Sequence, residues 1–352
     1  MAAVDMDGVR KAFGDTVAVD TLNLSIDDGE LVTLLGPSGC GKTTLMRMIA
    51  GILHQDEGEI RIGGQAIDDL PPEQRNIGMV FQSYALFPHM TVRHNVGFGL
   101  RMRGVDRAES TRRVDDALAL VDLSALAERY PRALSGGQQQ RVAVARAVVI
   151  EPDVLLFDEP LSNLDAKLRE QLREDLSKLQ ERLGITSLYV THDQSEAMAL
   201  ADRIVVMNEG RIVEIGTPID LYRRPRHRFT AEFLGQTNVV EARIENGTIM
   251  LPWGQRLPRP IGGAGSLALS LRPEDLRIAA AEPDHAQGQV RGRTFLGAAV
   301  DYRVDLDGHS LRVHATGQAA PVLEIGQPIT LHLPEQLHML EEDKPHAPAQ
   351  AA

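Results

Sequence analysis

The residues Gly36-Pro37-Ser38-Gly39-Cys40-Gly41-Lys42-Thr43 fit the spacing G-x-x-x-x-G-K-[ST] and sit between a strand-like run and a helical pattern. Glycines let successive backbone N–H groups turn inward around phosphate oxygens, and the helix that follows presents its positive end to them. The Lys42 ammonium would reach the β- and γ-phosphates of a nucleotide, and the Thr43 hydroxyl would ligate Mg²⁺. A second constellation is Val154-Leu155-Leu156-Phe157-Asp158-Glu159, a buried strand delivering two adjacent carboxylates to its end. Asp158 suits a magnesium ligand, and Glu159 can orient and deprotonate an attacking water. A third is Leu134-Ser135-Gly136-Gly137-Gln138 ahead of an apolar helical run. It reads either as an ordinary helix cap or as a second anion-facing helix start. Two such starts in one chain make sense if one subunit's second site closes over its neighbour's nucleotide.

With these motifs in order, the chain resembles the ATPase subunit of an ABC importer of the class with a C-terminal accessory domain. Leu134 to Gln138 corresponds to that family's signature. Gln82 matches its Q-loop, Ser162-Asn163-Leu164-Asp165 its D-loop, and His192 its switch histidine. Phe13, in Lys11-Ala12-Phe13-Gly14, matches the aromatic that stacks on adenine. Taken singly, Asp165 is a helix cap, Phe13 a core residue, and Gln82 and His192 polar strand ends; their shared order and spacing is the stronger argument. The resemblance implies a homodimer facing head to tail, with ATP between one chain's residues 36–44, Thr44 included, and the partner's Ser135, Gly136, Gly137 and Gln138. It also implies Mg²⁺ held through Thr43, Gln82 and Asp158, and catalysis by Glu159, His192, Lys42 and Gln82. Further expectations are integral membrane permease subunits as partners, an indirect link to a periplasmic solute-binding protein, and a cytoplasmic position on the inner face of the membrane. The segment Tyr84 to Met90 is expected either to pack as a buried loop or to form a groove for a permease helix.

These residues must be held by an α/β scaffold. Glu30 to Leu35, Val154 to Phe157, Ser187 to Val190 and Ile204 to Met207 are short apolar strands separated by helical patterns. Leu168, Leu172, Leu176, Leu179 and Leu183 form one stripe on a helix from Asp165 to Leu183. The expected fold is therefore a P-loop α/β ATPase over residues 1–235, with a helical subdomain near 83–150. From Gln236 the helices stop and Gly- and Pro-punctuated β segments follow, expected as an OB-like barrel over 236–340. Residues 341–352 are rich in Pro, Ala and acids and are expected to be disordered.

Composition narrows the classes. The chain has 352 residues with 37 basic and 49 acidic side chains, a net charge of −12. Its last third has 10 basic and 14 acidic residues and few aromatics, which argues against nucleic acid on the OB-like region. The single cysteine, Cys40, excludes an internal disulfide and a multi-cysteine metal site. Its place at a helix start beside Lys42 favours a thiolate, while free cysteines are often simply buried; both readings stand. No apolar run is long enough to span a membrane, and no signal-type leader is evident. The resemblance places the cargo in doubt for maltose-type sugars, because Gly235-Gln236-Thr237-Asn238-Val239 departs from the sugar importers' pattern. It favours the branch serving polyamines, ferric iron or phosphonates, with a sugar importer or a soluble, non-transport ABC ATPase as the alternatives.

Overall fold

The strand β3 (Leu31–Leu35) is five consecutive buried apolar or small residues, which only a sheet covered on both faces can accommodate. In the computed structural model it is central to a six-stranded sheet. The neighbours are β6 (Ile77–Val80), β7 (Val154–Asp158), β8 (Thr186–Thr191), β9 (Arg203–Asn208) and β10 (Arg211–Gly216), in the order β10-β9-β3-β8-β7-β6. All pairings are parallel except the edge pair β10–β9. The described residues are 2–245, 247–258, 265–281, 287–317 and 322–341; the expectation of a disordered tail falls almost wholly outside them.

Alternation within these strands assigns the two faces. Val32, Leu34, Leu156, Leu188 and Val190 pack on helix α1 (Lys42–Ile49) and on a second sheet. That sheet is antiparallel, ordered β2-β1-β4-β5 from β1 (Val4–Phe13), β2 (Thr16–Ile26), β4 (Glu57–Ile62) and β5 (Gln65–Ala66). Leu155, Phe157 and Tyr189 face the other way, onto α5 (Gly136–Val148) and α6 (Ala166–Leu183). Helix α7 (Gln194–Leu200) follows β8. The leucine stripe of α6 lies on this face, with Leu172 fully buried and the other four leucines half-buried. Gly184 ends the helix in the left-handed conformation at φ 60°. Helices α2 (Val92–Val96), α3 (Phe98–Met102) and α4 (Arg107–Leu120) build a separate small core with α5, around Val96, Leu100, Leu118 and Val142.

The chain divides into two units, 1–218 and 219–352. The sequence reading put the boundary at Gly235, seventeen residues later by that division. The physical reason is Arg272. Its buried guanidinium donates to the carbonyls of Tyr222, Ala231 and Gln236 and lies over the Tyr222 ring. Helices α8 (Pro218–Arg223) and α9 (Arg228–Phe233) are thereby tied to the C-terminal strands.

Those strands form two five-stranded antiparallel sheets. One, in the order β13-β12-β11-β14-β20, uses β11 (Asn238–Glu245), β12 (Thr248–Met250), β13 (Arg256–Pro258), β14 (Gly265–Leu271) and β20 (His338–Leu340). The other, in the order β15-β19-β16-β17-β18, uses β15 (Arg277–Ala280), β16 (Gly288–Phe295), β17 (Ala299–Leu306), β18 (His309–Thr316) and β19 (Pro328–His332). Val240, Leu269, Tyr302, Val304 and Leu331 share one core, and Trp253 packs against it.

Arg272→Met keeps the stem but leaves three carbonyls without their donor. It should destabilise the second unit by about 3 kcal/mol. Fluorescence of Trp253, the only tryptophan, reads that unit's unfolding in a urea titration; an unchanged midpoint would refute the anchoring role.

Candidate active site

The C-terminal ends of four adjacent parallel strands carry the predicted residues. Gly36 follows β3, His192 follows β8, Asp158 ends β7 with Glu159 next, and Gln82 lies two residues beyond β6. In an open parallel sheet this edge is where ligands bind.

The loop after β3 is packed so tightly that side chains are excluded. A Cβ on Gly36 would lie 2.2 Å from the Met207 carbonyl oxygen, and one on Gly41 2.3 Å from that of Ala18. Gly41 also has φ 104°, in the left-handed region, and precedes α1 without any side-chain cap. The first backbone N–H groups of α1 are thus left for a ligand. Pro37 is half-buried, Ser38 and Gly39 are exposed, and Thr43 and Thr44 are half-buried on the first turn. The Lys42 ammonium is folded back on the loop, donating to the carbonyls of Gly36 (2.7 Å) and Pro37 (3.0 Å). Cys40 is buried, with Sγ 3.5 Å from the Lys42 ammonium. Of the two readings of this thiol, burial supports the packed one.

Glu159 is the point of convergence. Its backbone is left-handed at φ 43°, a conformation costly for this residue type, and its N–H is fixed by the Val190 carbonyl at 2.9 Å. Its carboxylate lies 3.2 Å from His192 Nδ1 and accepts from Gln82 Nε2 at 3.4 Å. Gln82 also donates to Ser162 Oγ, and Asn163 donates to the Gln82 carbonyl, so the segment 162–165 is stitched to this cluster. Asp158, adjacent and half-buried, titrates above the ordinary aspartate range because burial penalises its charge; Arg47 opposes that shift and Glu159 adds to it. Thr43, Gln82 and Asp158 together offer oxygen donors only, which fits a hard cation that keeps waters and takes phosphate oxygens.

Beneath His192 lies a network that sequence reasoning missed. Glu196, on α7, is buried and accepts from the hydroxyls of Thr191 (2.8 Å) and Tyr189 (3.0 Å). Burial pushes its carboxyl up despite those donors. Asp193 caps α7, accepting from the N–H groups of Ser195 and Glu196. Arg169 joins Asp193 (3.1 Å) to the Leu164 carbonyl (3.1 Å), linking the loop at 162–165 to the one that carries His192. An acidic residue one turn after His192 and an arginine one turn after Asp165 were the available signals.

Ser135 caps α5 in a reciprocal box with Gln138: each side chain bonds the other's backbone N–H. The ordinary cap is therefore real, and Ser135 is also exposed. Gly136 and Gly137 are where α5 crosses the start of α6. A Cβ on Gly137 would be 3.2 Å from Leu168 and from Leu172. Asp165 caps α6 through Leu168 N–H. Phe13, at the end of β1, is exposed rather than in the core, with Lys11 Nζ 5.6 Å from its ring. Neither Phe13 nor Ser135 is in contact with the Glu159 cluster among the described bonds.

Comparison with known proteins identifies the family. A family profile described as ABC transporter matches residues 19–162, and one described as TOBE domain matches 269–340. The chain is 46% identical to a spermidine/putrescine import ATP-binding protein, PotA, of Pseudomonas fluorescens, over 97% of this chain and 98% of that protein. It is 48% identical to an Fe(3+) ions import ATP-binding protein, FbpC, of Escherichia coli K12, over 89% and 91%. The chain belongs to the ATP-binding subunits of ABC importers. Solved relatives include a dimeric ATP-binding cassette in a post-hydrolysis state with ADP and Pi (TM-score 0.55, 34% identity, 61% of this chain and 98% of that one). Another, from Clostridium perfringens, is part of an ABC transporter complex (TM-score 0.58, 33% identity, 62% and 89%). This importer ATPase therefore pairs a P-loop cassette with an OB-type TOBE domain.

Asp158 gives the importer ATPase a measurable pH signature. A carboxyl whose native pKa is raised holds its proton longer in the folded chain, so its ionisation removes stability as pH rises from its ordinary 3.8 through the native value. Asp158→Asn removes that loss. Without nucleotide or magnesium it should raise the melting temperature at pH 7, with the gain fading toward pH 4. Calorimetry across that range checks this; a lower melting temperature at pH 7 would contradict it.

Proposed function

We propose that two copies of this chain bind two ATP molecules head to tail and hydrolyse them to drive a membrane permease. The convergence of Gln82, Glu159 and His192 at the end of the parallel strands carries the reading. The loop at 36–44 takes the phosphates through α1 N–H groups, with Lys42 leaving its loop carbonyls for phosphate oxygens. Bound Mg²⁺ would neutralise phosphate charge, held by Thr43 and Asp158 with Gln82 nearby. Glu159 takes a proton from the attacking water, and His192 holds the carboxylate in place and faces the γ-phosphate. The exposed Phe13 supplies a face for adenine. The partner's copy of Ser135 to Gln138 completes the site, its Ser hydroxyl and α5 N-terminus facing the phosphate.

The exposed start of α5 and the exposed Phe13 support a site finished by a second chain, as does the dimeric relative with ADP and Pi. The segment 84–90 offers the permease contact. Its Phe87 ring packs at a tilt against that of Phe98, and Asn95 holds it by bonds to the carbonyls of Phe87, Met90 and Thr91. Among the described residues no helix is long and apolar enough to cross a membrane. In this reading the ATPase docks from the inner face on separate permease subunits. The names of the relatives support a cationic cargo, a polyamine or ferric iron. In this reading a periplasmic solute-binding protein delivers it to the permease. Nucleic acid has no part in this reading.

Glu159→Gln keeps shape and removes the base. ATP should then drive a stable dimer in gel filtration while turnover falls by about 100-fold or more. Mixing Lys42→Ala with Ser135→Ala/Gly137→Ala should restore measurable hydrolysis, because one mixed dimer contains one intact composite site. Turnover by Glu159→Gln at the wild-type rate, or no recovery in the mixture, would sink the scheme.

A further inference from the structure

Two residues after Gln82, the chain does something expensive. Tyr84 and Ala85 are consecutive non-glycine residues in the left-handed region, at φ 60° and φ 48°. The Tyr84 side chain is buried against Val80, Ala143, Val144 and Val148, and its hydroxyl has no hydrogen-bond partner among the described residues. Ala85 is exposed, so its methyl gains nothing from packing. What holds this turn is Arg146, three turns along α5 from Ser135. Its guanidinium donates to the Ala85 carbonyl at 2.7 Å and to the Tyr84 carbonyl at 2.9 Å, and it lies 5.8 Å from the Phe87 ring. Burial pulls the arginine's pKa down, and no carboxylate pairs with it among the described residues. The two carbonyls are its acceptors.

We propose that Arg146 is the positioning residue that couples Gln82 to the Ser135 end of α5. A turn of two left-handed residues relaxes unless something selects it, and here the selecting group belongs to α5. Movement of Gln82 with its nucleotide shifts the 84–85 carbonyls and so pulls on Arg146. Helix α5 is continuous from Gly136 to Val148 and moves as a rod. Its N-terminus, with Ser135 and Gln138, then meets or leaves the partner's nucleotide. One bidentate contact thus links occupancy of a chain's own site to completion of its neighbour's. The inference rests on the composite-site reading above and adds the residue that joins its halves.

The test uses variants of the full-length protein. Arg146→Met keeps the stem and removes the donors. Binding of a fluorescent ATP analogue and KM should change by less than about threefold, whereas kcat should fall by about tenfold. Ala85→Gly/Arg146→Met should stay as low in kcat as Arg146→Met, measured against Ala85→Gly alone. Glycine adopts the left-handed conformation freely, so it frees the turn from the arginine without restoring the link to α5. Added to Glu159→Gln, Arg146→Met should leave analogue binding within about threefold but abolish the ATP-driven dimer in gel filtration. Wild-type kcat in Arg146→Met, recovery in the folded double variant, or an undiminished ATP-driven dimer would overturn the proposal. Should Arg146→Met fail to fold, Arg146→Lys replaces it. Its single ammonium cannot serve both carbonyls in the same way, so a smaller loss, again without glycine rescue, is expected, and wild-type kcat there overturns the proposal too. The mixture of Lys42→Ala with Ser135→Ala/Gly137→Ala is assayed in parallel. If it shows no recovery, the composite-site reading fails. If it recovers while Arg146→Met matches wild type, the Arg146 coupling alone fails.

Discussion

Everything in the first unit depends on backbone reaching places where a side chain cannot go. Gly36 lies against the Met207 carbonyl on β9 and Gly41 against the Ala18 carbonyl on β2, each with room for a hydrogen and no more. These contacts press the loop between the parallel sheet and the antiparallel one, and they aim the free N–H groups of α1 along the sheet's C-terminal edge. A phosphate site built from main chain has the virtue of rigidity, since its donors need no rotamer to be chosen. At the other end of α1, Arg75 is buried and donates to the Met48 and Ile49 carbonyls. The helix is thereby clamped at its C-terminus and left open at its N-terminus. That asymmetry is what a phosphate-binding helix requires.

The catalytic edge accepts conformations and charges that a merely stable protein would avoid. Glu159 sits in a left-handed backbone, Asp158 is half-buried beside it, and Tyr84 and Ala85 form a turn that neither residue prefers. Such costs are tolerated where the surroundings over-determine the geometry. Here the surroundings are identifiable: the Val190 carbonyl for Glu159, Arg146 for the turn, and Arg169 with Asp193 for the loop beneath His192. Each is a polar contact made from a neighbouring regular element. The sheet supplies position, and the helices supply the constraint.

This division explains what was legible in the sequence. The β3, β7, β8 and β9 strands could be read because strands buried on both faces are unbroken apolar runs. The leucine stripe of α6 could be read because one helical face packs while the other is wet. The antiparallel sheet of β1, β2, β4 and β5 was not read. Its strands alternate polar and apolar residues irregularly, with register shifts between Met6 and Lys11 that break the period of two. Strands β15 and β16 escaped for a similar reason, since Arg277, Arg291 and Arg293 and two glycines leave little apolar pattern. The sequence reading set the boundary later than the division into compact units does, because α8 and α9 look like a continuation of the cassette's helical pattern. Partners far along the chain show which side they join: Arg272 above all, with Glu274 accepting from the Tyr222 hydroxyl and Glu241 pairing with Arg228.

The site divides in the same way. Motif residues announce themselves because phosphate chemistry restricts them to few types at fixed spacings. The residues that hold the motifs do not, since an arginine that meets two carbonyls or a glutamate that meets two hydroxyls has no local spacing to reveal it. Arg146, Arg169, Glu196 and Asn95 are all of this kind, and each joins two segments separated in sequence or by a turn of backbone. The consequence is directional. A substitution of a reacting side chain such as Glu159 removes chemistry and leaves the fold alone, whereas a substitution among the holders leaves every reacting group present but lets them drift. In a machine that works by differential binding between two states, drift has its own penalty. ATP can still bind, but its binding energy is no longer tied to the closed geometry, and a nucleotide that binds both states alike shifts nothing. The proposed coupling therefore rests less on the phosphate loop than on a few polar contacts between the strand ends and α5, α6 and α7.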